Sequence, residues 1–240
     1  MRSGRVAVGA VLVVTLSACS GETSSTSDGD PSTTEGSAAA AAPSEALLSA
    51  EQHMAPLQDV TYRGTWEATD DAGLFAGHEL TTTLRVADNG CEIVRETPDG
   101  LRMTTRIVDG TEWFNWSDEF LALLPPDRQE EWSGRWESDA ADPSDACDVR
   151  RLSDSLDLDT VEAVGTTTIA GRPAQEYVAT AAQPQPESDG EVRFWLTTDD
   201  EPIVVQVGGG YAGLRGPVSL KSSDDGLTIT RPPRRLWVQH

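Results

Sequence analysis

From Val60 onward the chain repeatedly alternates apolar and polar positions with a period of two. In VTYRGTWEA, Val60, Tyr62, Gly64 and Trp66 fall on one side, and Thr61, Arg63, Thr65 and Glu67 on the other. ELTTTLRVA sets Leu80, Thr82, Leu84 and Val86 against Glu79, Thr81, Thr83 and Arg85. LRMTTRIV sets Leu101, Met103, Thr105 and Ile107 against Arg102, Thr104 and Arg106, and EVRFWLT sets Val192, Phe194 and Leu196 against Arg193 and Thr197. Such runs predict antiparallel strands with one face on a core and the other in water. The tetrads and triads ADNG, TPDG, VDG and SDDG supply Asn-Gly or Asp-Gly where a tight hairpin needs positive φ. Strands joined in this way make a meander.

Three segments leave the two-residue period. PSEALLSAEQHMAPLQD opens with Pro43-Ser44, a helix start, and can set Ala46, Leu47, Met54 and Leu57 on or near one stripe. SDEFLALLPPDRQEEW has Ser117 as a cap and is broken by Pro125-Pro126, which predicts short helices on either side. SDSLDLD, residues 153–159, is expected to be a short helical or irregular piece before TVEAVGTTTIAGRPAQEYVAT. No βαβ rhythm and no fixed-period repeat is present. The expected fold class is α+β, mainly antiparallel β: one long curved sheet with a few helices over one face.

The N-terminus changes where this domain is placed. Arg2 and Arg5 precede an apolar run, Val6 to Leu16, that is shorter than the roughly 20 apolar residues a membrane span needs. The run ends in Leu16-Ser17-Ala18-Cys19, which resembles a bacterial lipobox and implies cleavage before Cys19 with lipid on its thiol and new amino terminus. A plain small-residue cleavage site that happens to include a cysteine is the alternative. Each buried lipid methylene contributes ~0.8 kcal/mol, and stable anchoring takes more than one acyl chain. Residues 20–43 are Ser, Thr, Gly, Ala, Pro and acid, without an aromatic or basic residue, and cannot bury enough apolar area to offset their ordering. A flexible segment of that length has a reach of ~27 Å. The expected organisation is a lipoprotein signal peptide over 1–18, a lipidated Cys19 with a disordered tether over 19–43, and one domain over 44–240.

Composition then removes several functions. The chain has 18 Lys+Arg against 40 Asp+Glu, a formal net charge of −22, and loss of residues 1–18 would remove two arginines and no acid. That charge argues against nucleic acid and against general attraction to anionic lipid. With Cys19 assigned to lipid, Cys91 and Cys147 form an even pair, which in an exported chain points to a disulfide, with two separate buried thiols as the alternative. A bridge closing a loop of about 57 residues would stabilise by ~4 kcal/mol in the chain-entropy picture. His53, His78 and His240 are scattered, and Asp154, Asp157, Asp159, Asp199, Asp200 and Glu201 lack the spacing of a calcium loop, so no metal is expected and the acids are taken as solvated turns. GGGYAG (208–213) lacks the Lys-Ser/Thr of a phosphate loop, and no nucleophile elbow is present. No cofactor and no enzymatic activity are expected. Arg231, Arg234 and Arg235 in RPPRRLWVQH are expected to pair with the acidic surface of their own domain, with headgroup or partner contact as the alternative.

The order of segments is similar to that of actinobacterial lipoproteins of the LolA-like and LppX/LprG-like half-barrel family. The likeness is carried by Gly165, Gly171, Pro173, Ala174 and Tyr177 in one hairpin, by Trp195 to Pro202 as an aromatic-apolar strand with an acidic turn, and by SGRWES around Trp136. It covers about residues 44–222. It implies a half-barrel with helices over its concave face and an apolar cavity for acyl chains or another hydrophobic ligand. Candidates for lining that cavity or its mouth are Leu84, Val86, Met103, Ile107, Trp113, Phe114, Trp116, Phe120 and Phe194. The cluster Trp113-Phe114-Asn115-Trp116, with Trp132 and Trp136 nearby, suits a ligand mouth or the packing of a helix on the sheet. The long tether, the acidity and the stretch VGGGYAGLRGPVSL depart from the pattern. Two functions follow: a membrane-anchored extracytoplasmic lipoprotein that binds or carries a hydrophobic or lipid ligand, or a surface-tethered interaction or signalling/envelope-assembly protein with a filled core and no ligand.

Overall fold

The computed structural model describes residues 42–68, 75–140, 147–182, 190–211, 214 and 216–238. Cys19, the tether up to residue 41, His240 and part of the Gly-rich stretch lie outside them. Helix α1 (Pro43–Met54) leads into β1 (Asp59–Glu67), β2 (Glu79–Ala87), β3 (Gly90–Glu96), β4 (Arg102–Val108) and β5 (Thr111–Trp116). Two short helices, α2 (Asp118–Leu121) and α3 (Pro126–Trp132), precede the edge strand β6 (Glu137–Ala140). A 3-10 segment (Val149–Ser155) then opens β7 (Leu156–Ile169), β8 (Arg172–Ala181), β9 (Glu191–Thr197), β10 (Val204–Gly208) and β11 (Val218–Ser223).

All eleven strands form one curved, open antiparallel sheet in the order β6-β5-β4-β3-β2-β1-β11-β10-β9-β8-β7. Two meanders thus run in opposite senses and are joined where β1 pairs with β11. Of the expected hairpin signals, VDG acts as read, whereas SDDG follows β11, the last strand, and closes no hairpin, and Asn89 of ADNG does not take a positive φ. Asp109 (φ 53°) and Gly110 (φ 69°) make the two-residue loop between β4 and β5, and Asp, a short polar side chain, tolerates the left-handed conformation that Gly adopts freely.

Register carries the sequence alternation across the sheet. Val60, Val86, Cys91 and Ile107 lie side by side on one face, the inner one, as do Tyr62, Leu84, Ile93, Thr105 and Phe114 in the next row. The main core lies against this face: Val60, Tyr62, Leu84, Val86, Phe194, Val204, Val207 and Val218 have no solvent exposure. Helix α1 closes it with Leu47, Ala50 and Met54, all at 0 % exposure. Its start agrees with the proline at the first helical turn, where a missing N–H costs nothing. The stripe differs from the expected one: Ala50 is sealed with Leu47 and Met54, and Ala46 and Leu57 are only half-buried at the margin.

The 3-10 segment is pinned on the same side as α1. Cys147 and Cys91 form the disulfide, with Cα atoms 6.2 Å apart and 56 positions apart in sequence. Arg150, buried, donates to the carbonyls of Leu57 (2.8 Å), Gln58 (3.1 Å) and Ala87 (3.2 Å) and pairs with Asp148 (2.9 Å) and Asp88 (2.8 Å). Those carboxylates hold its guanidinium charge more firmly than usual, the Asp148 hydrogen bonds foremost. From α1, Glu51 accepts the Ser153 N–H and hydroxyl, both at 2.6 Å. The region read from sequence as short helical or irregular over 153–159 is therefore two things: its first residues end the 3-10 segment at Ser155, and β7 already starts at Leu156, which is buried in the main core.

Candidate functional site

The inner face carries a second apolar cluster, away from α1. Ala68, Phe75, Leu80, Leu101 and Phe120 are buried in it, and Trp66, Met103, Trp116 and Leu124 pack around it half-buried. Local sequence places these side chains. Ser117 caps α2, accepting the Phe120 N–H at 3.2 Å, and its hydroxyl donates to the Gly100 carbonyl at 3.0 Å, which ties the helix to the β3–β4 turn. Phe120 then sits 5.9 Å from Phe75 and 6.3 Å from Trp116, and Trp116 stacks on Trp132 of α3 at 4.8 Å between ring centres. Phe114 continues the series, 6.0 Å from Trp116. Trp66 packs against both clusters and joins them. A side chain at Gly216 would run into its indole, so the backbone there passes close over Trp66.

Between the two clusters, one row of the inner face is mixed in chemistry: Gly64, Thr82, Arg95, Met103 and Trp116 are cross-strand neighbours. Thr82 is fully buried and its hydroxyl has no hydrogen-bond partner among the described residues. The indole N–H of Trp132 is likewise buried without a partner. Unsatisfied buried polar atoms are costly and uncommon, and they mark a place where a polar atom of another molecule has something to gain.

The candidate residues named from sequence separate into three groups. Leu84, Val86 and Phe194 are fully buried in the main core beneath α1, and Ile107 packs at its margin. Met103, Trp116 and Phe120 belong to the second cluster, with Phe114 stacked on it. Trp113 does not join either group. It is registered with Arg106 and Ser138, one step out of phase with Phe114, and so lies on the outer face. There the C-terminal segment covers it: Trp237 packs at 4.5 Å between ring centres, and Trp136 and Trp237 bridge through their backbones. Neither a ligand mouth nor a covering helix describes Trp113; a returning chain end does.

The same segment corrects the expectation for the basic tail. Asp59, fully buried, accepts the N–H groups of Asp225 (3.1 Å) and Leu227 (2.9 Å), Asn89 exchanges hydrogen bonds with Ile229, and Arg106 donates to the Thr230 carbonyl at 3.3 Å. Arg231 lies over Trp113 at 5.7 Å and Arg234 over Trp237 at 5.7 Å. Aromatic faces and backbone groups hold the tail, and none of Arg231, Arg234 and Arg235 makes an ion pair with a described residue.

The hairpin that carries the family likeness is structural in its details. Gly165, Pro173, Ala174 and Tyr177 lie on β7 and β8, with Gly171 in the turn between them, and Tyr177 stacks on Phe194 at 5.3 Å. Asp199 accepts from Thr197 at 2.8 Å and pairs with Arg172 at 3.0 Å, and the hydroxyl first, then the guanidinium, lowers its carboxyl below the usual range. Sequence reasoning missed Thr82 and Trp66 and named Trp132 only as a neighbour of the aromatic cluster. The signal for Thr82 was a hydroxyl at an inner position of an apolar alternation. Among the described residues no group of three or more His, Cys, Asp or Glu is placed to hold a metal ion, and no helix is long and apolar enough to cross a membrane.

No family model and no curated protein matches the chain. Solved structures similar to it include the lipoprotein LppX of Mycobacterium tuberculosis, at 13 % identity and a TM-score of 0.46 over 78 % of this chain and 98 % of that one. A domain described as an outer membrane lipoprotein-sorting protein from Vibrio parahaemolyticus matches at 9 % identity and a TM-score of 0.33, over 70 % of this chain and 72 % of the other. A DUF1329 family protein from Desulfovibrio piger matches at 14 % identity and a TM-score of 0.29, over 69 % and 71 %. No residue role passes to this chain from any of them.

Proposed function

We propose that the chain is an extracytoplasmic lipoprotein, processed after residue 18, held at the membrane by lipid on Cys19 and spaced from it by the tether up to residue 43. Its domain, residues 44–240, binds a hydrophobic ligand with a polar end, a lipid being the simplest such molecule. The observation that supports ligand binding is the contrast along the inner face. Under α1 the core is filled and sealed. At the β4–β5 end, Met103, Phe114, Trp116 and Trp132 are half-buried, and the unpartnered Thr82 hydroxyl lies in the same row as Met103 and Trp116. Half-buried aromatic and thioether surface beside an unsatisfied polar atom suits an amphiphile.

The ligand then rests at the aromatic end, with its apolar part along Met103, Phe114 and Trp116 and its polar part toward Thr82. No step of chemistry is involved; the function is capture and release. The decisive experiment is mass spectrometry of the chain purified from its own membrane, under native and under denaturing conditions. Covalent anchor lipid appears in both spectra. A non-covalent ligand appears only in the native one. Equal masses in the two spectra overturn the ligand reading, and a denatured mass without acyl chains overturns the anchor.

A further inference from the structure

The chain is strongly acidic, yet its cations are not spread evenly. On the outer face of β4, β5 and β6, under and around the C-terminal segment, four arginines gather: Arg106, Arg231, Arg234 and Arg235. Three of them sit over indoles: Arg106 over Trp136 at 4.7 Å, Arg231 over Trp113 at 5.7 Å and Arg234 over Trp237 at 5.7 Å. The patch is one surface. Arg106 bonds the Thr230 carbonyl, Trp136 N–H donates to the Leu236 carbonyl at 2.6 Å, and Val238 N–H donates to the Trp136 carbonyl at 2.9 Å.

Among the described residues, carboxylates pair one of these arginines, Arg106, and leave those of the C-terminal segment without an ion pair. Glu92 is consumed between Arg85 (2.6 Å) and Arg106 (2.7 Å). Ser138 is the residue of β6 registered with Trp113, so Glu137 and Asp139 fall on the opposite face of that strand. Arg231, Arg234 and Arg235 are exposed, and Trp136 and Trp237 are half-buried. Arginine fork donors suit phosphate oxygens, and indoles that are apolar on one side and polar on the other suit the headgroup level of a bilayer.

We infer that this outer-face patch docks the domain on a bilayer surface bearing anionic phospholipid, with Arg231, Arg234 and Arg235 on headgroup phosphates and Trp136 and Trp237 at the interface. The inference rests on the anchored reading above and adds an orientation to it. A surface carrying the excess of acids is repelled by anionic lipid, so this face is the one that approaches. An acidic protein could use the arginines but would gain nothing specific from two indoles at the rim, which favours the bilayer. The inner face with Thr82 and Met103 then points away from the headgroups it is docked on.

The test uses the full processed chain in phosphatidylcholine vesicles with and without phosphatidylglycerol, the lipid carrying a spin label at the headgroup. Tryptophan quenching reads docking; flotation reads anchoring. Docking gives several-fold stronger quenching when phosphatidylglycerol is present, and the difference shrinks in high salt, where the screening length falls to ~3 Å at 1 M. Arg231→Glu/Arg234→Glu/Arg235→Glu removes the difference while the variant still floats and keeps its circular dichroism, and Trp237→Phe removes much of the quenching. Equal quenching with both lipids, or a triple variant that quenches like the parent, overturns the inference, including in favour of an acidic protein partner. If the chain fails to float with any vesicle, the anchor falls, and the quenching difference on added vesicles at higher lipid concentration still decides docking.

Discussion

The hydroxyl of Tyr62 donates to the carbonyl of Val204 at 2.6 Å, reaching over β11 at the joint between the two meanders. Both residues are fully buried, so the bond fixes β1 against β10 where no direct strand pairing does. Tyr62→Phe keeps the ring and removes the donor. The expected loss is about 1–3 kcal/mol, the range for leaving a buried polar group short of its partner, read as a lower midpoint in urea. A midpoint unchanged from the parent would show that the joint does not depend on this bond.

Tyr62 also sets an alkaline limit. Burial pushes its phenol well above the ordinary value, as it does that of Tyr211. The unfolded chain loses these protons near pH 10 while the folded chain keeps them, so stability present below about pH 10 is lost as pH rises beyond it. Tyr62→Phe is expected to flatten that decline, leaving the part due to Tyr211. Parallel stability–pH curves for parent and variant between neutral pH and 11 would contradict this.

Glu51 gives a slope of the same sign in acid. Burial raises its carboxyl pKa, and the Ser153 hydroxyl and N–H offset only part of the rise. The folded chain therefore takes up this proton at a higher pH than the unfolded one, whose value is about 4.3. Its contribution is fully present below that value and is lost as pH rises through the raised one. Glu51→Gln is expected to remove the slope, seen by urea unfolding at a series of pH values from 4 to 7. A variant that retains the parent's slope would assign it to other carboxylates.

The disulfide joins β3 to the start of the 3-10 segment, and both cysteines are 4 % exposed. Closing a loop of that size is worth ~4 kcal/mol in the chain-entropy picture. Cys91→Ala/Cys147→Ala is expected to lower the melting temperature by many degrees, and the parent should resist reductant until it unfolds. A double variant that melts with the parent would mean that Arg150 and Glu51 hold the segment alone.

Much of this fold was legible because its strands obey one rule. Val60, Tyr62 and Trp66, or Leu80, Leu84 and Val86, declare their face by a two-residue period, and Asp109-Gly110 declares the turn. The pairing of β1 with β11 was not legible, since it joins residues more than 150 positions apart and depends on how two meanders meet. The face of Trp113 was misjudged for a related reason. A cluster of aromatics invites a single role, but adjacent strand residues point to opposite faces, and only the path of the C-terminal segment decides what covers Trp113. The second apolar cluster was legible in part: Met103, Trp116 and Phe120 were candidates from sequence, while Phe75, on a short element without a period, was not.

On the proposed ligand reading, Thr82 is where structure and function make opposite demands, and Thr82→Val separates them. The substitution keeps the branched shape and deletes a hydroxyl that is fully buried and lacks a partner. Removing an unsatisfied buried polar group relieves a cost of about 1–3 kcal/mol. The ligand-free variant is therefore expected to be at least as stable as the parent, with a midpoint unchanged or higher. The ligand-bound comparison is expected to run the other way: the variant, purified from membranes in parallel, retains several-fold less non-covalent ligand in native mass spectra. Met103→Glu, which places a charge in the same row, should abolish retention without touching the core under α1. A Thr82→Val chain that holds as much ligand as the parent would remove Thr82 from the site and leave the aromatic side chains as its whole recognition surface.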